Sequence, residues 1–599
     1  MYPYKYGRCI LKKGTNLERQ SRADDANTAY REQDGAEISK TVETDHQEEM
    51  KENNLMKKLW NTYPRPQMTR KEWLCLNGTW QLEADGISGS IQVPFCPESE
   101  LSGWKGNVDY GKEMTYRRFF TLPESWSGRR TLLHFGAVNR KALVMVNGKK
   151  AAVHETGYLP FTADITEFLQ SGKNELTVTV INDLSVQYPW GKQKKDRGGM
   201  WYTPVTGIWQ TVWLEPVPEQ YIRNLQIRTG KDYVDITVQG GTDGTVFFDG
   251  KEYSLHHGKI HIAVEKPRLW SPEDPYLYRF TVRTPEDCAE SYFALRTLTV
   301  QKTGSILRLC LNDRPYFFHG LLDQGYWESG LYTPPSPSCY EQDILAMKAL
   351  GFNTLRKHIK IEPEQFYYDC DRLGMIVFQD MVNNGDYRYL RDTALPTIGF
   401  TKRKDIRMHR DPETRRSFLE SMDETVQLLN NHPSICLWTI FNEGWGQFCA
   451  DEAYDRLKKL DDTRFIDSTS GWFHQKKTDV ESLHIYFRKL ALGKKNLPQL
   501  LSEFGGWNLR IPDHCFDREK AYGYKKYQDR ETFVHDLRQL YLDQILPLIR
   551  QGLCGSIYTQ VSDVEDETNG LITYDREVYK ISPEEFRDVS EKITSALTE

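Results

Sequence analysis

Glu443 and Glu503 lie 60 residues apart, and each closes a short apolar run: Ser434-Ile-Cys-Leu-Trp-Thr-Ile-Phe441 leads into Asn442-Glu443, and Leu497-Pro-Gln-Leu-Leu-Ser502 leads into Glu503-Phe-Gly-Gly506. If both runs are parallel barrel strands, both carboxylates emerge at the carboxyl ends of those strands, the face on which such barrels keep their chemistry. Two carboxyl groups so placed can divide the work of breaking a glycosidic bond. One gives a proton to the departing oxygen, and the other attacks the anomeric carbon or activates water. Trp438 under the first and Phe504 beside the second would desolvate them, which raises a carboxyl pKa toward the value an acid catalyst needs. Asn442 suits a sugar hydroxyl, particularly the 2-OH, whose hydrogen bonds strengthen in the transition state. A glutamate at a strand end is common, so each alone is weak; the pair is the signal.

The elements that must position this pair follow from length and pattern. A chain of 599 residues exceeds what one hydrophobic core organises, so two or more domains are expected. Residues 1–55 are polar, with almost nothing to bury from about Asn16 to Asn54, and are expected to be a disordered or loosely helical extension; either the natural start lies near Met56 or Met50, or the first 55 residues are dispensable. Residues 56–218 read as a jelly-roll β-sandwich, because short alternating or β-branched runs such as Thr115-Tyr-Arg-Arg-Phe-Phe and Glu175-Leu-Thr-Val-Thr-Val are separated by turn residues. Val146-Asn-Gly-Lys149 is a hairpin signal of the type I′ kind. Residues 219–304 repeat this character in a shorter, immunoglobulin-like sandwich.

From 305 to 599 strand-like and helical runs alternate, as βα units require. Eight candidate strands can be counted, beginning Tyr316-Phe-Phe-His-Gly and ending Gly555-Ser-Ile-Tyr-Thr-Gln, which specifies a (β/α)8 TIM barrel. Glu341 to Leu350 reads as one of its helices, with Gly351 as the stop. Glu443 then ends the fourth strand and Glu503 the seventh.

Composition narrows the partners. Hydrophobic residues at 39% and charged residues at 27% describe an ordinary globular protein, and 12% aromatics leave ample Trp and Tyr for sugar stacking. A net charge of −6 gives no basic footprint for nucleic acid. No apolar run approaches the roughly 20 residues of a membrane span, and the first residues, without a basic start or an apolar h-region of about 7–15 residues, are not expected to act as a secretory signal. The expectation is a cytoplasmic protein with a carbohydrate substrate, no nucleic-acid or membrane partner, and a homo-oligomer left open. The eleven cysteines form no C-x-x-C pair and read as reduced structural thiols.

Trp438-Thr-Ile-Phe-Asn-Glu443, Leu500-Leu-Ser-Glu-Phe-Gly-Gly506 and the three-module order resemble glycoside hydrolase family 2, the β-galactosidase and β-glucuronidase type. The resemblance covers nearly everything from Met56 to about Arg576. It includes Leu76-Asn-Gly-Thr-Trp80, Val93-Pro-Phe-Cys-Pro-Glu98, Gly207-Ile-Trp-Gln-Thr-Val-Trp-Leu214 and Leu269-Trp-Ser-Pro-Glu-Asp-Pro-Tyr-Leu-Tyr278. It implies an exo-acting, retaining β-glycosidase with Glu443 as acid/base and Glu503 as nucleophile, and carboxyl groups about 5–5.5 Å apart. It further implies that Tyr486 hydrogen-bonds the nucleophile and that His358 contacts the sugar. His484 shares the face of Tyr486, and Arg356 can order the carboxylates bidentately. Asp323 and Gln324 after the first strand, Trp445 after Glu443, and Trp472 after the fifth strand are expected to ring the pocket.

Two departures bear on the sugar. Thr559 stands where well-known members carry a tryptophan platform, so stacking must come from elsewhere, with Trp472 or Tyr558 as candidates. The loop Val564-Glu-Asp-Glu-Thr-Asn-Gly570 is acidic, and no Asn-x-Lys pair of the β-glucuronidase kind is found. An acidic rim would repel a uronic acid, so a neutral sugar is expected, with galactose first by family frequency and β-glucuronide, β-galacturonide, β-mannoside or α-L-arabinoside as alternatives. A non-catalytic carbohydrate-binding protein is the reading from another class. No cofactor is required; Mg²⁺ or Na⁺ on Asp563, Glu565 and Glu567 is weighed against a solvated acidic loop, which is preferred. The segment Arg197-Gly-Gly-Met-Trp201 is expected to lend the pocket a wall from the N-terminal sandwich.

Overall fold

The computed structural model describes residues 60–597 apart from Thr242 and Lys495; the expected extension over residues 1–55 lies outside them. The first sandwich pairs a six-stranded antiparallel sheet with a four-stranded one. Gly78–Ala84 alternates strictly between buried and exposed positions, so one face of that strand feeds a core built on Trp80, Leu82, Tyr116, Val144 and Val178. Strands Lys141–Val146 and Lys149–His154 pair antiparallel across Asn147-Gly148, whose φ values of 50° and 75° are the positive pair a two-residue type I′ loop needs. The Leu76 to Trp80 motif is structural: Trp80 Nε1 donates to Leu76 O at 2.8 Å, and Asn77 Nδ2 donates to Trp60 O at 2.9 Å.

The second sandwich pairs a three-stranded sheet with a four-stranded one around Ile222, Val246, Phe280 and Phe293. Trp270 in its Leu269 to Tyr278 motif is fully buried, and its indole N–H donates to Asp371 O at 2.8 Å. That bond ties the sandwich to the barrel.

The barrel strands are β1 (Phe318–Asp323), β2 (Thr354–Lys357), β3 (Ile376–Asp380), β4 (Ile435–Asn442), β5 (Phe465–Ser470), β6 (Glu481–Ile485), β7 (Gln499–Gly505) and β8 (Leu553–Thr559). They form one parallel sheet in the order β5-β4-β3-β2-β1-β8-β7-β6. No ladder closes β5 onto β6, and side chains do so instead: Ser470 Oγ and Ser482 Oγ lie 3.1 Å apart. All strands are buried on both faces along most of their length, which is why they read as continuous apolar runs. Helix Ser338–Ala349 precedes Gly351 as expected. Gly351 has φ +87°, and a Cβ there would meet Ser590 Oγ at 1.7 Å, so glycine is required both by the backbone and by the neighbouring helix.

The eight strands form the expected barrel, but the alternation of strand and helix expected over residues 305–599 is interrupted at two positions. Among the described residues no helix follows β5 or β6. Those connections are short, residues 471–480 and 486–498, and the first of them bridges the seam where the ladder is open. A parallel crossover with a helix needs a dozen or more residues, so the first of these lacks the length and the second has barely enough.

Candidate active site

β4 and β7 deliver the two glutamates to the carboxyl-terminal mouth. Glu443 sits one residue past β4 with φ +52°, a left-handed conformation that a non-glycine residue adopts at a cost of about 1–2 kcal/mol. Gly444 follows with φ +74°, and a Cβ on it would lie 2.3 Å from the Phe473 ring. The chain is thereby turned so that the Glu443 carboxylate points across the mouth. One oxygen of Glu443, one oxygen of Glu503 and a ring nitrogen of His484 all lie within 4.8 Å of one another.

Each glutamate has its own partners. Glu503 Oε1 accepts from Arg356 Nη1 at 3.1 Å and Oε2 from Tyr486 Oη at 2.5 Å. Glu443 Oε1 meets His484 Nδ1 at 2.8 Å, and His484 Nε2 meets Ser470 Oγ at 2.9 Å. Arg356 is the hub: besides Glu503 it donates to Asp380 Oδ1 at 3.0 Å, Ser502 O at 3.0 Å and Asn442 Oδ1 at 2.8 Å. His358 Nδ1 donates to the other Asp380 oxygen at 2.7 Å, which leaves Nε2 for the pocket. Asn442 spends its oxygen on Arg356, while its buried Nδ2 has no protein partner.

These environments drive the two carboxyl groups apart. Burial pushes the Glu443 carboxyl up, the nearby Glu503 charge adds to this, and the His484 hydrogen bond offsets only part. Burial also opposes ionisation of Glu503, but the charges of His484, Arg356 and His358 and the Tyr486 hydrogen bond outweigh it and bring it to about 2. One carboxyl is held toward the acid and the other toward the carboxylate, the division that an acid and a nucleophile require. Burial lowers His358 to about 4, so its ring is neutral near pH 7.

Of the residues nominated from sequence, Asn442, Arg356, His358, His484 and Tyr486 converge on the pair. Trp445 is buried in the pocket wall against Trp201, with ring centroids 5.4 Å apart, and its indole N–H is unpartnered. Trp472 is buried, and its indole N–H donates to the backbone oxygen of Glu443 at 3.0 Å, so it braces the acid. Asp323 is not brought to the pair: Oδ2 takes Lys357 Nζ at 2.6 Å and Oδ1 takes Gly325 N–H at 2.9 Å, a network on the helix side of β2. Gln324 is buried and donates to neither glutamate. Trp438 is not under Glu443; its N–H goes to Asp461 Oδ2 at 2.8 Å, at the end of helix Ala450–Leu460.

The expectations for the eighth strand are also corrected. Tyr558 is fully buried and packs its edge on Phe504 at 5.6 Å, so it offers no face to a sugar. Thr559 instead places Oγ1 3.0 Å from Tyr486 Oη. The acidic loop is not solvated: Asp563, Glu565 and Glu567 are 1%, 2% and 4% exposed. Asp563 pairs with Lys580 at 2.6 Å, Glu565 accepts from Thr203 N–H at 2.9 Å, and Glu567 is bound by Tyr202 Oη and by Gln560 Nε2 at 3.0 Å. Among the described residues these three carboxylates do not converge into a cation-binding group, so they do not fit the Mg²⁺ or Na⁺ site considered from sequence.

Strand-end counting missed Asp380, which closes β3 and could have been found by extending the same rule one residue. It also missed contributions from loops. Tyr524 stacks on Tyr486 with centroids 4.0 Å apart. The segment 182–206 of the first sandwich crosses to the barrel, as expected of the wall around Arg197 to Trp201: Trp190 Nε1 donates to Gly385 O at 3.1 Å, and Arg197 lies 3.4 Å from Asp566. Lys192 comes with it.

Comparison with known proteins agrees with this architecture. Residues 78–218 match the model "Glycosyl hydrolases family 2, sugar binding domain", residues 220–296 match "Glycosyl hydrolases family 2", and residues 308–508 match "Glycosyl hydrolases family 2, TIM barrel domain". A β-galactosidase of Aeromonas hydrophila subsp. hydrophila is 25% identical over 475 residues, 70% of this chain and 43% of that protein. A β-glucuronidase of Canis lupus familiaris is 26% identical over 455 residues, 64% of this chain and 65% of that protein. The chain thus spans less than two thirds of these relatives' lengths. The solved β-D-glucuronidase of Dictyoglomus thermophilum superposes with a TM-score of 0.68 at 17% identity, covering 89% of this chain and 98% of that one. With three consecutive family models matched in order over two sandwiches and an eight-stranded barrel, the chain belongs to glycoside hydrolase family 2.

Proposed function

We propose that this chain is an exo-acting, retaining β-glycosidase. Glu503 is the nucleophile: its carboxylate attacks the anomeric carbon, the bond to the leaving-group oxygen breaks, and Glu443 gives that oxygen its proton. A glycosyl ester on Glu503 results. Glu443, now a carboxylate, takes a proton from water as the water attacks the same carbon, and Glu503 departs as the carboxylate. The observation that carries this reading is the carboxylate pair itself, with oxygens within 4.8 Å and opposite protonation tendencies. An inverting pair must leave room for water at about 6.5–9.5 Å.

Arg356 and Tyr486 orient the nucleophile, His484 orients the acid, and the free Nδ2 of Asn442 faces the 2-OH. For the sugar, the expectation of a neutral one rested on an acidic rim and on the missing Asn-x-Lys pair, with galactose first by family frequency; the rim is absent because the loop carboxylates are buried and paired. The names of the relatives include both β-galactosidase and β-glucuronidase, and the solved neighbours include a β-glucuronidase and a β-galacturonidase. A terminal β-linked uronide is therefore preferred over a galactoside.

Changing Glu503 to Gln should abolish turnover across a panel of nitrophenyl β-glycosides while leaving the melting temperature close to that of the parent. Azide should rescue a Glu503→Ala variant and yield a glycosyl azide of inverted configuration. Retained activity in Glu503→Gln would sink the assignment.

A further inference from the structure

The loop that the first sandwich sends to the barrel mouth presents successive side chains to opposite sides. Gln193 turns inward, where Nε2 donates to Tyr158 Oη at 2.9 Å and Oε1 accepts from Val205 N–H at 2.7 Å. Tyr202 fixes the backbone on either side: its N–H donates to Lys192 O at 2.9 Å and its carbonyl accepts from Lys194 N–H at 3.1 Å. Lys192 and Lys194 consequently share the other side. Lys192 Nζ stands 5.7 Å from the ring centroids of both Tyr202 and Trp445, and Lys194 Nζ stands 3.9 Å from that of Trp201.

Lys192 is only 7% exposed, yet among the described residues its ammonium has no hydrogen bond and no carboxylate at ion-pair distance. The carboxylates around it are committed elsewhere: Glu567 to Tyr202 and Gln560, Glu443 to His484, and Glu503 to Arg356 and Tyr486. Its field still reaches the site, since it is among the charges that lower Glu443, His358 and Glu567. Two further buried donors at the mouth lack acceptors, Trp445 Nε1 and Asn442 Nδ2. A wall with an unpaired ammonium and unpaired N–H groups is short of acceptors. Burying a charge without a partner is costly, and the flanking rings compensate only weakly at this distance.

We infer that Lys192 is the residue that selects the sugar, by taking the carboxylate of a terminal uronic acid, so that the N-terminal sandwich supplies the anion-binding group of the site. This rests on the glycosidase reading above. An ammonium offers three donors and a compact charge that a carboxylate satisfies, whereas the hydroxymethyl group of a neutral hexose leaves the charge uncompensated. The barrel's own cation at the site, Arg356, is fully engaged by four protein acceptors.

The test compares kcat/KM for nitrophenyl β-D-glucuronide and β-D-galacturonide with that for nitrophenyl β-D-galactoside. The parent should prefer one of the uronides. In Lys192→Met the uronide-to-galactoside ratio should fall by about 30-fold or more, the scale of a lost charge-assisted contact, and Lys192→Arg should restore part of it. Lys195→Gln, exposed on the same loop, controls for net charge. In a Glu503→Gln background, calorimetry with sodium glucuronate and galacturonate should show binding that Lys192→Met removes. Two results would overturn the inference: a parent that cleaves galactoside and no uronide, or a Lys192→Met variant that slows all sugars equally and only shifts the pH profile. In either case an inactive Glu503→Gln keeps the glycosidase reading standing. Turnover by Glu503→Gln, or a parent inactive on every glycoside, would remove that reading and this inference with it.

Discussion

Replacing Tyr486 by Phe tests the division of labour at Glu503 with a change that removes one oxygen and leaves the ring stacked on Tyr524. Tyr486 Oη donates to Glu503 Oε2 at 2.5 Å, and no other protein donor is bonded to that oxygen. A hydrogen bond to a charged acceptor contributes about 1.5–3 kcal/mol. The carboxylate loses charge as it attacks and regains it as it departs, so the bond assists departure most. Slowing the second displacement by about 1.5–3 kcal/mol lowers kcat roughly 10- to 150-fold. Because the glycosyl ester then accumulates, KM should fall together with kcat, and a burst of nitrophenol equal to the enzyme concentration should precede the steady state.

The same bond is one of those holding Glu503 at about 2. Without it the folded-state pKa rises toward the ordinary value, so the acid limb of kcat/KM should move up by about 1–2 pH units. The direction follows because Glu503 must be ionised to attack, and activity is lost as pH falls through its pKa. Stopped-flow burst analysis and a pH profile between pH 2 and 7 would measure both. A kcat within twofold of the parent, or a fall in kcat with a rising KM and no burst, would refute the argument.

Two further outcomes follow from the same geometry. Asn442→Ala removes the free Nδ2 donor, so kcat/KM should fall about 100-fold on the parent sugar, as expected of a 2-OH contact worth several kcal/mol in the transition state. A 2-deoxy substrate should lose little more in that variant than it already loses with the parent enzyme; additive losses would show that Asn442 acts elsewhere. At the junction of the two sandwiches, Glu215 is buried and bonded by Tyr63, Arg65 and Arg70. Burial raises its pKa, but the two arginines and His134 outweigh it and bring the group to about 2. A depressed carboxyl contributes stability that is present above its unfolded value of 4.5 and is lost as pH falls through 2. That window is worth about 3 kcal/mol. Arg70→Met should lower the melting temperature at pH 7 and flatten its decline between pH 4.5 and 2, and an unchanged decline would count against the pairing.

The strands of the barrel were legible because they are buried on both faces. Continuous β-branched and aliphatic runs such as Ile435 to Phe441 have no other stable environment at that length, and counting them assigned Glu443 and Glu503 to β4 and β7. Residues that belong to strand ends, Arg356, Asn442, His484 and Tyr486, were legible by the same rule. Loop residues were not. Trp445 and Trp472 lie in the loops beyond β4 and β5, and one packs into the wall while the other braces Glu443 from behind, since a side chain past the last ladder bond is aimed by its neighbours rather than by the pleat; Asp323, the last residue of β1, pairs with Lys357 instead of facing the pair.

The acidic loop shows the limit most plainly. In sequence, Val564-Glu-Asp-Glu-Thr-Asn-Gly570 has the composition of a solvated rim. In the fold its carboxylates are buried, because acceptors from the barrel meet donors 362 and 365 residues away, Thr203 N–H and Tyr202 Oη. Whether a charge is buried depends on partners that only the tertiary structure brings, and no local pattern encodes them. The glutamate pair, its strand positions and the three-domain order were therefore determined by the sequence alone, through periodicity and strand count. The opposed pKa shifts of the two carboxyls and the placing of Lys192 in the wall of the site were decided by tertiary structure, where burial and long-range contacts set the charge.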